Sequence, residues 1–406
     1  MRIPPSHAQA TRLYGPELGT DPAEFYREIR RRHGRVAPVL LEGDVPAWLV
    51  LAYREVHHVT SNPQVFSRNS RHWNLWDEVA PDWPLMPIVA WAPSVLHAEG
   101  AEHQRRAGAI SDALESTNAT ELGRICQRTA DQLIDAFAGD GKADLILQYA
   151  QQMPIRVLSR LHGLPESETD AMAGDLLATS LAGEEAIAAH QRILARVMRL
   201  IAEHRQGARS GLTARLVRHP AGLSDEELTV DMFVLMIIGQ QPTADWIGNT
   251  LRLMLLDDQF SLTLQGGRSS VEQALNEVLW KDTPIQQMVG RWATQDYELA
   301  GRRIRKGDLL IPALASANAD PQVRPDSFGN VGTNRAHMSF AHGEHSCPVG
   351  APEIAEAIAR TAIEVLLDRL PDVELAIPAA LVRWKETAIM RGLHSLPVTF
   401  TPAITR

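Results

Sequence analysis

Only two cysteines, Cys126 and Cys347, occur in the 406-residue chain. Two are too few for a disulfide framework, which excludes a small stapled secreted domain and suits a reducing cytoplasm. No stretch reaches the roughly 18 uncharged apolar residues that a membrane-crossing helix needs. The start, Met1-Arg2-Ile3-Pro4-Pro5-Ser6, carries no apolar signal region. A soluble, cytoplasmic protein with no membrane partner is therefore expected. Basic charge is not in excess either. The formal net charge is −9, which argues against general nucleic-acid binding, and the clusters Arg30-Arg31-Arg32 and Arg302-Arg303 with Arg305-Lys306 read as solvated faces. Linkers rich in Pro, Gly or Ser, internal repeats and low-complexity segments are missing, so residues 1–406 are expected to form a single domain. Aromatic residues make up only 5%, yet 45% apolar content is ample for a core.

What is present is mostly helical periodicity. Asp21-Pro22 opens a short helix through Arg32; Val36 to Leu41 and Ala47 to Tyr53 then read as strands joined by a Gly43-Asp44 turn. From about Ala101 to Asp257 the spacing is helical, broken at Gly139-Asp140-Gly141, Gly163-Leu164-Pro165 and His219-Pro220. Cys126 falls inside the Leu122 to Phe137 pattern as ordinary core. Ser224-Asp225-Glu226-Glu227 is a capping box that starts a long helix running through Phe233, Ile237 and Trp246 toward Leu255. Strand signals return over Tyr297 to Pro312 and near the C-terminus. The expected class is mainly α with small β-sheets.

The most informative stretch is Phe340-Ala341-His342-Gly343-Glu344-His345-Ser346-Cys347-Pro348-Val349, closed by Gly350. A helix follows at once: Pro352 suits its first turn, Glu353 and Glu356 suit its dipole, and Ile354, Ala355, Ile358, Ala362, Val365 and Leu366 form its stripe before Pro371 ends it. A Cys between a Gly-bearing turn and a helix start has N–H groups and a positive helix end near its sulfur. That favours the thiolate, and a thiolate so held suits haem iron. A lone Cys can equally be a small buried apolar residue; its surroundings set this one apart.

Phe-x-x-Gly-x-His-x-Cys before a helix resembles the haem-binding signature of the cytochrome P450 family, with Phe340, Gly343, His345 and Cys347 all matching. The family's Gly two residues after the Cys is Val349 here, with Gly350 one place late. The order of segments is similar to the cytochrome P450 fold over nearly the whole chain. Thr283-Pro284, Ala317-Asn318-Ala319-Asp320-Pro321 and His337-Met338-Ser339-Phe340 fall where bacterial members carry similar anchors. The resemblance implies haem b (iron protoporphyrin IX) with Cys347 as axial ligand and electrons from a ferredoxin and its ferredoxin reductase. His103, Arg291 and His345 match positions that hold propionates. An Arg usually follows the His by four residues; that position is Ala107, and Arg106 is expected to substitute for it.

Three departures bear on function. Where the family has Glu-x-x-Arg, this chain has Glu277-Val278-Leu279-Trp280, and its Pro-x-Arg-Phe segment reads Pro325-Asp326-Ser327-Phe328. With both cations gone, Glu277 is expected to find Trp280 Nε1–H or Ser327, or to be protonated. Where relatives place Ala-Gly-x-Asp/Glu-Thr over the haem, this chain has Ile238-Gly239-Gln240-Gln241-Pro242-Thr243. The acid and alcohol that normally deliver protons to dioxygen have become Gln241 and Pro242, with Thr243 one residue late. Gln cannot act as a general acid, so a water chain at the Pro242 kink, a group of the substrate, or peroxide in place of dioxygen is required.

Glu-x-x-Trp resembles a small actinobacterial branch that includes enzymes crosslinking aromatic side chains in short ribosomally made peptides, the biarylitide type. Such coupling takes two one-electron abstractions and inserts no oxygen. The segment that caps the substrate pocket in relatives contains Arg68, Asn69, Arg71, His72, Trp73, Asn74, Trp76, Trp83 and Trp91, a mixture suited to gripping a peptide; Ile238 is a further substrate candidate. The expected function is peptide crosslinking. Hydroxylation of a hydrophobic small molecule, as a monooxygenase or a peroxide-using hydroxylase, and a non-catalytic haem sensor or escort stand as alternatives.

Overall fold

The computed structural model describes residues 3–14, 22–179, 184–207, 210–256, 269–324 and 334–403. The chain forms two compact units. The first is drawn from Met1–His103, Asn276–Cys347 and Trp384–Gly392, the second from Gln104–Leu275, Pro348–Arg383 and Leu393–Arg406. No helix among the described residues is long and apolar enough to cross a membrane.

A six-stranded sheet organises the first unit. In spatial order its strands are Thr11–Arg12, Val36–Leu41, Val45–Val50, Leu309–Pro312, Arg291–Ala293 and Phe66–Ser67. Every residue of Val36–Leu41 and of Val45–Val50 is buried, so both faces of the sheet are covered. Alternation sorts them: Ala37, Val39, Leu41, Ala47, Leu49, Ile311 and Trp292 enter one apolar cluster, whereas Val36, Trp48, Val50, Leu310, Phe66 and Ala293 enter another. The expected second strand, Ala47 to Tyr53, is displaced: it runs Val45–Val50, and Tyr53 opens a helix, Tyr53–Ser61. The cause is distant in sequence. Asp320 accepts the Tyr53 backbone N–H at 2.9 Å and pairs with Arg30 at 2.8 Å, anchoring that helix start.

The second unit is helical, with a three-stranded sheet of Glu374–Leu375, Pro397–Thr399 and Lys142–Asp144. Its longest helix, Asp225–Leu256, starts with the expected capping box: Ser224 Oγ accepts from Glu227 N at 3.1 Å and Glu227 accepts from Ser224 N at 2.9 Å. Residues 243–251 of this helix are all buried, and Trp246 Nε1–H donates to the Leu275 carbonyl at 3.0 Å. Gly248 lets the helix approach closely, because a Cβ there would stand 2.6 Å from the Ile146 side chain. Cys126 is fully buried in the Ala119–Asp135 helix, and burial pushes its thiol up to about 12. It is core, as expected.

The carboxylate of Glu277 corrects one expectation. It is buried, but its partners are cations: Arg324 Nη2 at 3.1 Å and Lys281 Nζ at 2.5 Å. Trp280 Nε1–H donates instead to the Asn334 carbonyl at 2.9 Å, while Ser327 lies outside the described residues. The charge lost from 280 is supplied by Arg324, a residue whose reach to Glu277 depends on tertiary folding. Arg324→Gln should therefore destabilise the protein by about 3 kcal/mol, the typical cost of stranding a buried carboxylate. Lys281 is 55% exposed, and Lys281→Gln should cost under about 1 kcal/mol. Denaturant titration separates the two; equal losses would overturn this ranking.

Candidate functional site

The loop from Phe340 to Cys347 hangs from one buried amide. Asn318 Oδ1 accepts from Met338 N at 2.6 Å, and its Nδ2 donates to Ser339 Oγ at 3.1 Å and to the Leu279 carbonyl at 2.9 Å. The chain then turns through two left-handed residues, Ala341 (φ 59°) and Gly343 (φ 80°). Gly343 lies so close to the Thr60 carbonyl that a Cβ would overlap it. Ser346 N donates to the Gly343 carbonyl at 3.0 Å, and Cys347 N to the Phe340 carbonyl at 2.9 Å. These bonds fix the cysteine, which keeps partial exposure. Gly350, in the second unit, has φ 86° and caps the helix Ala351–Arg369; a Cβ on it would stand 2.9 Å from Glu115 N. The left-handed position has moved one residue along, leaving Val349 58% exposed and harmless.

Near this loop in the first unit the sheet carries an electrostatic anomaly. Arg291 is fully buried, and none of its three guanidinium nitrogens has a hydrogen-bond partner among the described residues. Arg68 Nη1 donates to the carbonyls of Val289 and Gly290 at 2.8 and 2.9 Å, just before Arg291 in the chain. Burial, with Arg68 as the neighbouring cation, holds Arg291 well below the ordinary guanidinium range, and burial pushes Arg68 down to about 10. Burial and then Arg291 depress the His345 imidazole strongly; burial and then Arg68 push His97 down to about 4. These two imidazoles are neutral at physiological pH. The His103 ring lies 4.0 Å from that of His345, and its Nδ1 is 3.1 Å from Glu344.

A fully buried Arg291 with no hydrogen-bond partner among the described residues, and with Arg68 as a neighbouring cation, makes a desolvated positive site, and a buried cation without an anion costs several kcal/mol. The donor set fits a ligand with two carboxylates, such as the propionates of haem. The Arg106 guanidinium makes a bidentate buried pair with Asp231, at 2.6 and 2.9 Å, in the second unit. That corrects the expectation that Arg106 replaces the cation missing at Ala107. Arg68 is expected among the substrate contacts, and the structure places it near Arg291 and His97. The signal for Arg68 is the strand register Ser67↔Trp292, which no local pattern reveals.

In the second unit, Gln241, Pro242 and Thr243 share the long helix with Ile238, which is 45% exposed. Gln241 Nε2 donates to Asp245 Oδ1 at 3.0 Å, and Thr243 Oγ1 donates to the Gly239 carbonyl at 2.7 Å. Asp245 was overlooked, although its four-residue spacing from Gln241 places both on one helical face.

The aromatic segment divides by burial. Trp73 and Trp83 lie in the sheet core with Trp76 packed against them; Trp83 Nε1 donates to the Glu42 carbonyl at 2.7 Å and Trp76 Nε1 to that of Ser70 at 2.5 Å. Asn74 bonds Asp308 at 3.0 Å. By contrast, Arg71 and Trp91 are exposed and stack on each other, the guanidinium carbon 4.4 Å from the indole ring centre.

An ordered cysteine loop beside a buried cationic site for a dicarboxylate defines a haem-thiolate oxidoreductase. No family model matches the chain. The chain is 26% identical to the polyketide biosynthesis cytochrome P450 PksS of Bacillus subtilis, over 88% of this chain and 89% of that one. It is 28% identical to the mycinamicin IV hydroxylase/epoxidase of Micromonospora griseorubida, over 87% and 89%. Among solved structures, CxnD, a cytochrome P450 for C–S bond formation in chuangxinmycin biosynthesis, superposes with a TM-score of 0.82 at 27% identity, over 98% and 99%. The chain has the cytochrome P450 fold and is similar over most of its length to bacterial cytochromes P450, with haem b as its cofactor.

Arg68→Gln and Arg291→Gln should each weaken haem binding by the apoprotein about tenfold or more, the scale of a lost charge-assisted bond. Arg71→Gln should leave it unchanged. Haem titration followed by Soret absorbance gives the three affinities, and an unaffected Arg68→Gln variant would return Arg68 to the substrate side.

Proposed function

We propose that this cytochrome P450 joins two aromatic side chains of a short peptide through a C–C, C–N or C–O bond. In this reading Cys347 gives its thiolate to the iron, and Arg68, Arg291, His103 and His345 hold the propionates. Bound haem supplies the one-electron oxidations, while oxygen leaves as water. The carrying observation is on the long helix. Gln241 cannot act as an acid, Pro242 has no hydroxyl, and the Thr243 hydroxyl is already engaged by the Gly239 carbonyl. Dioxygen activation still needs protons, and an ionisable ring of a peptide substrate, such as a phenol or an imidazole, can supply the relay that the helix lacks. The stacked Arg71–Trp91 pair is a second support: it offers an exposed, ordered cation and indole to a peptide's carbonyls and rings. CxnD, similar over nearly the full length, acts in C–S bond formation.

A second reading, hydroxylation or epoxidation of a hydrophobic natural product with dioxygen or peroxide, is favoured by the likeness to the mycinamicin enzyme. Bacterial relatives in general draw electrons from a ferredoxin and its reductase, and the same is proposed here.

The reduced, carbon-monoxide-bound protein should show a Soret band far to the red that Cys347→Ser abolishes. Short peptides containing Tyr, Trp or His should shift the ferric spin state, and Arg71→Ala or Trp91→Ala should weaken that shift about tenfold, as loss of an interface anchor does. Product mass decides between the readings. Loss of two hydrogens supports crosslinking; gain of one oxygen on a small molecule, with peptides inert, overturns it.

A further inference from the structure

Arg71 is an exposed cation that is held in place without an anion. Asn69 Oδ1 accepts both Arg71 N–H and Arg71 Nε–H, each at 3.1 Å, and the guanidinium carbon lies 4.4 Å from the centre of the Trp91 ring. Its two terminal nitrogens have no hydrogen-bond or ion-pair partner among the described residues. A long side chain at a surface ordinarily keeps several rotamers, and fixing one of them costs conformational entropy. Two contacts fix this one and leave its outer edge empty.

The groups behind the arginine are themselves oriented. Asn69 is 6% exposed; its Nδ2 donates to Glu99 Oε2 at 2.9 Å, Ser67 Oγ donates to Glu99 Oε1, and Asn69 N donates to Ser67 Oγ at 2.8 Å. A carboxylate only accepts hydrogen bonds, so Glu99 takes the amide N–H and turns Oδ1 toward Arg71. Trp91 is pinned through its neighbour: Ala92 N donates to His97 Nδ1 at 3.2 Å, and Ser94 N donates to the Ala92 carbonyl at 2.8 Å. The indole nonetheless stays 40% exposed. All of these residues belong to the first unit.

With Nε engaged by Asn69 and one face covered by Trp91, the edge that remains is the pair Nη1 and Nη2. Two N–H groups side by side match the two oxygens of a carboxylate. The local potential has the right sign, because Arg68 and Arg71 both add, after burial, to the depression of the His97 imidazole. The indole beside that edge asks for a ring next to the charge. An inorganic anion has no such ring, whereas the last residue of a peptide can carry both.

We propose that the terminal nitrogens of Arg71, with the indole of Trp91, bind the C-terminal carboxylate of a short peptide whose last side chain is aromatic, and that Asn69, oriented by Glu99, is the positioning residue that keeps this receptor formed. The inference rests on the crosslinking reading and names the end by which the substrate is held.

The haem-loaded protein, titrated calorimetrically with acetylated Tyr-Gly-Tyr as the free acid and as the C-terminal amide, tests it. The acid should bind about tenfold more tightly, the scale of one charge-assisted bond. Arg71→Ala should abolish that preference. Arg71→Lys, which keeps the charge but has neither Nε nor the planar pair, should lose most of it, and so should Asn69→Ala. A merely structural defect would weaken acid and amide alike and leave their ratio unchanged.

Equal affinities in the wild type, binding of neither form, or a preference that survives Arg71→Ala overturns the site. Because Arg71 is exposed, those variants decide the matter even if Asn69→Ala fails to fold; a folded Asn69→Ala protein with the full preference overturns the positioning role. Product mass separates this inference from the reading beneath it. An acid preference without loss of two hydrogens sinks crosslinking alone, and coupled product formed from acid and amide at equal affinity sinks the carboxylate site alone.

Discussion

The guanidinium of Arg291 is the constraint around which the first unit is arranged. It lies on a strand hydrogen-bonded on both sides, to Leu309–Pro312 and to Phe66–Ser67, so it cannot swing out to water without breaking the sheet. Arg68 increases the positive potential and two neutral imidazoles add hydrogen-bonding groups without charge. Such a site is stable only with an anion in it. The cysteine loop is tied to the same unit by Asn318 and by the close contact of Gly343 with Thr60, both uncharged contacts. Charge specifies the ligand's carboxylates, and backbone geometry specifies the thiol.

Glu277 has no arginine three residues on, yet the deficit is met from elsewhere in the chain, by Arg324. A buried carboxylate or a dicarboxylate ligand needs compensation, but electrostatics does not require it from a given position in sequence.

That distinction explains what could be read in advance. The cysteine loop, the capping box of the long helix, the core role of Cys126 and the mixed, mainly helical class follow from short-range spacing, and they hold. The start of the Tyr53–Ser61 helix does not, because Asp320 helps fix it from 267 residues away. Arg106 looked interchangeable with residue 107, but a one-residue step turns a helical side chain by about 100°, and there it meets Asp231. Trp73 and Trp83 looked like a binding surface because aromatic composition does not distinguish a lid's anchors from its contacts; burial does.

The buried arginine strand has a consequence for biogenesis. A newly made polypeptide lacking its prosthetic group must close a two-faced apolar sheet over an uncompensated cation, which costs that sheet stability. Binding of the prosthetic group and folding of the unit are thermodynamically linked, so supply of the group, and not only synthesis of the polypeptide, sets how much folded protein is present.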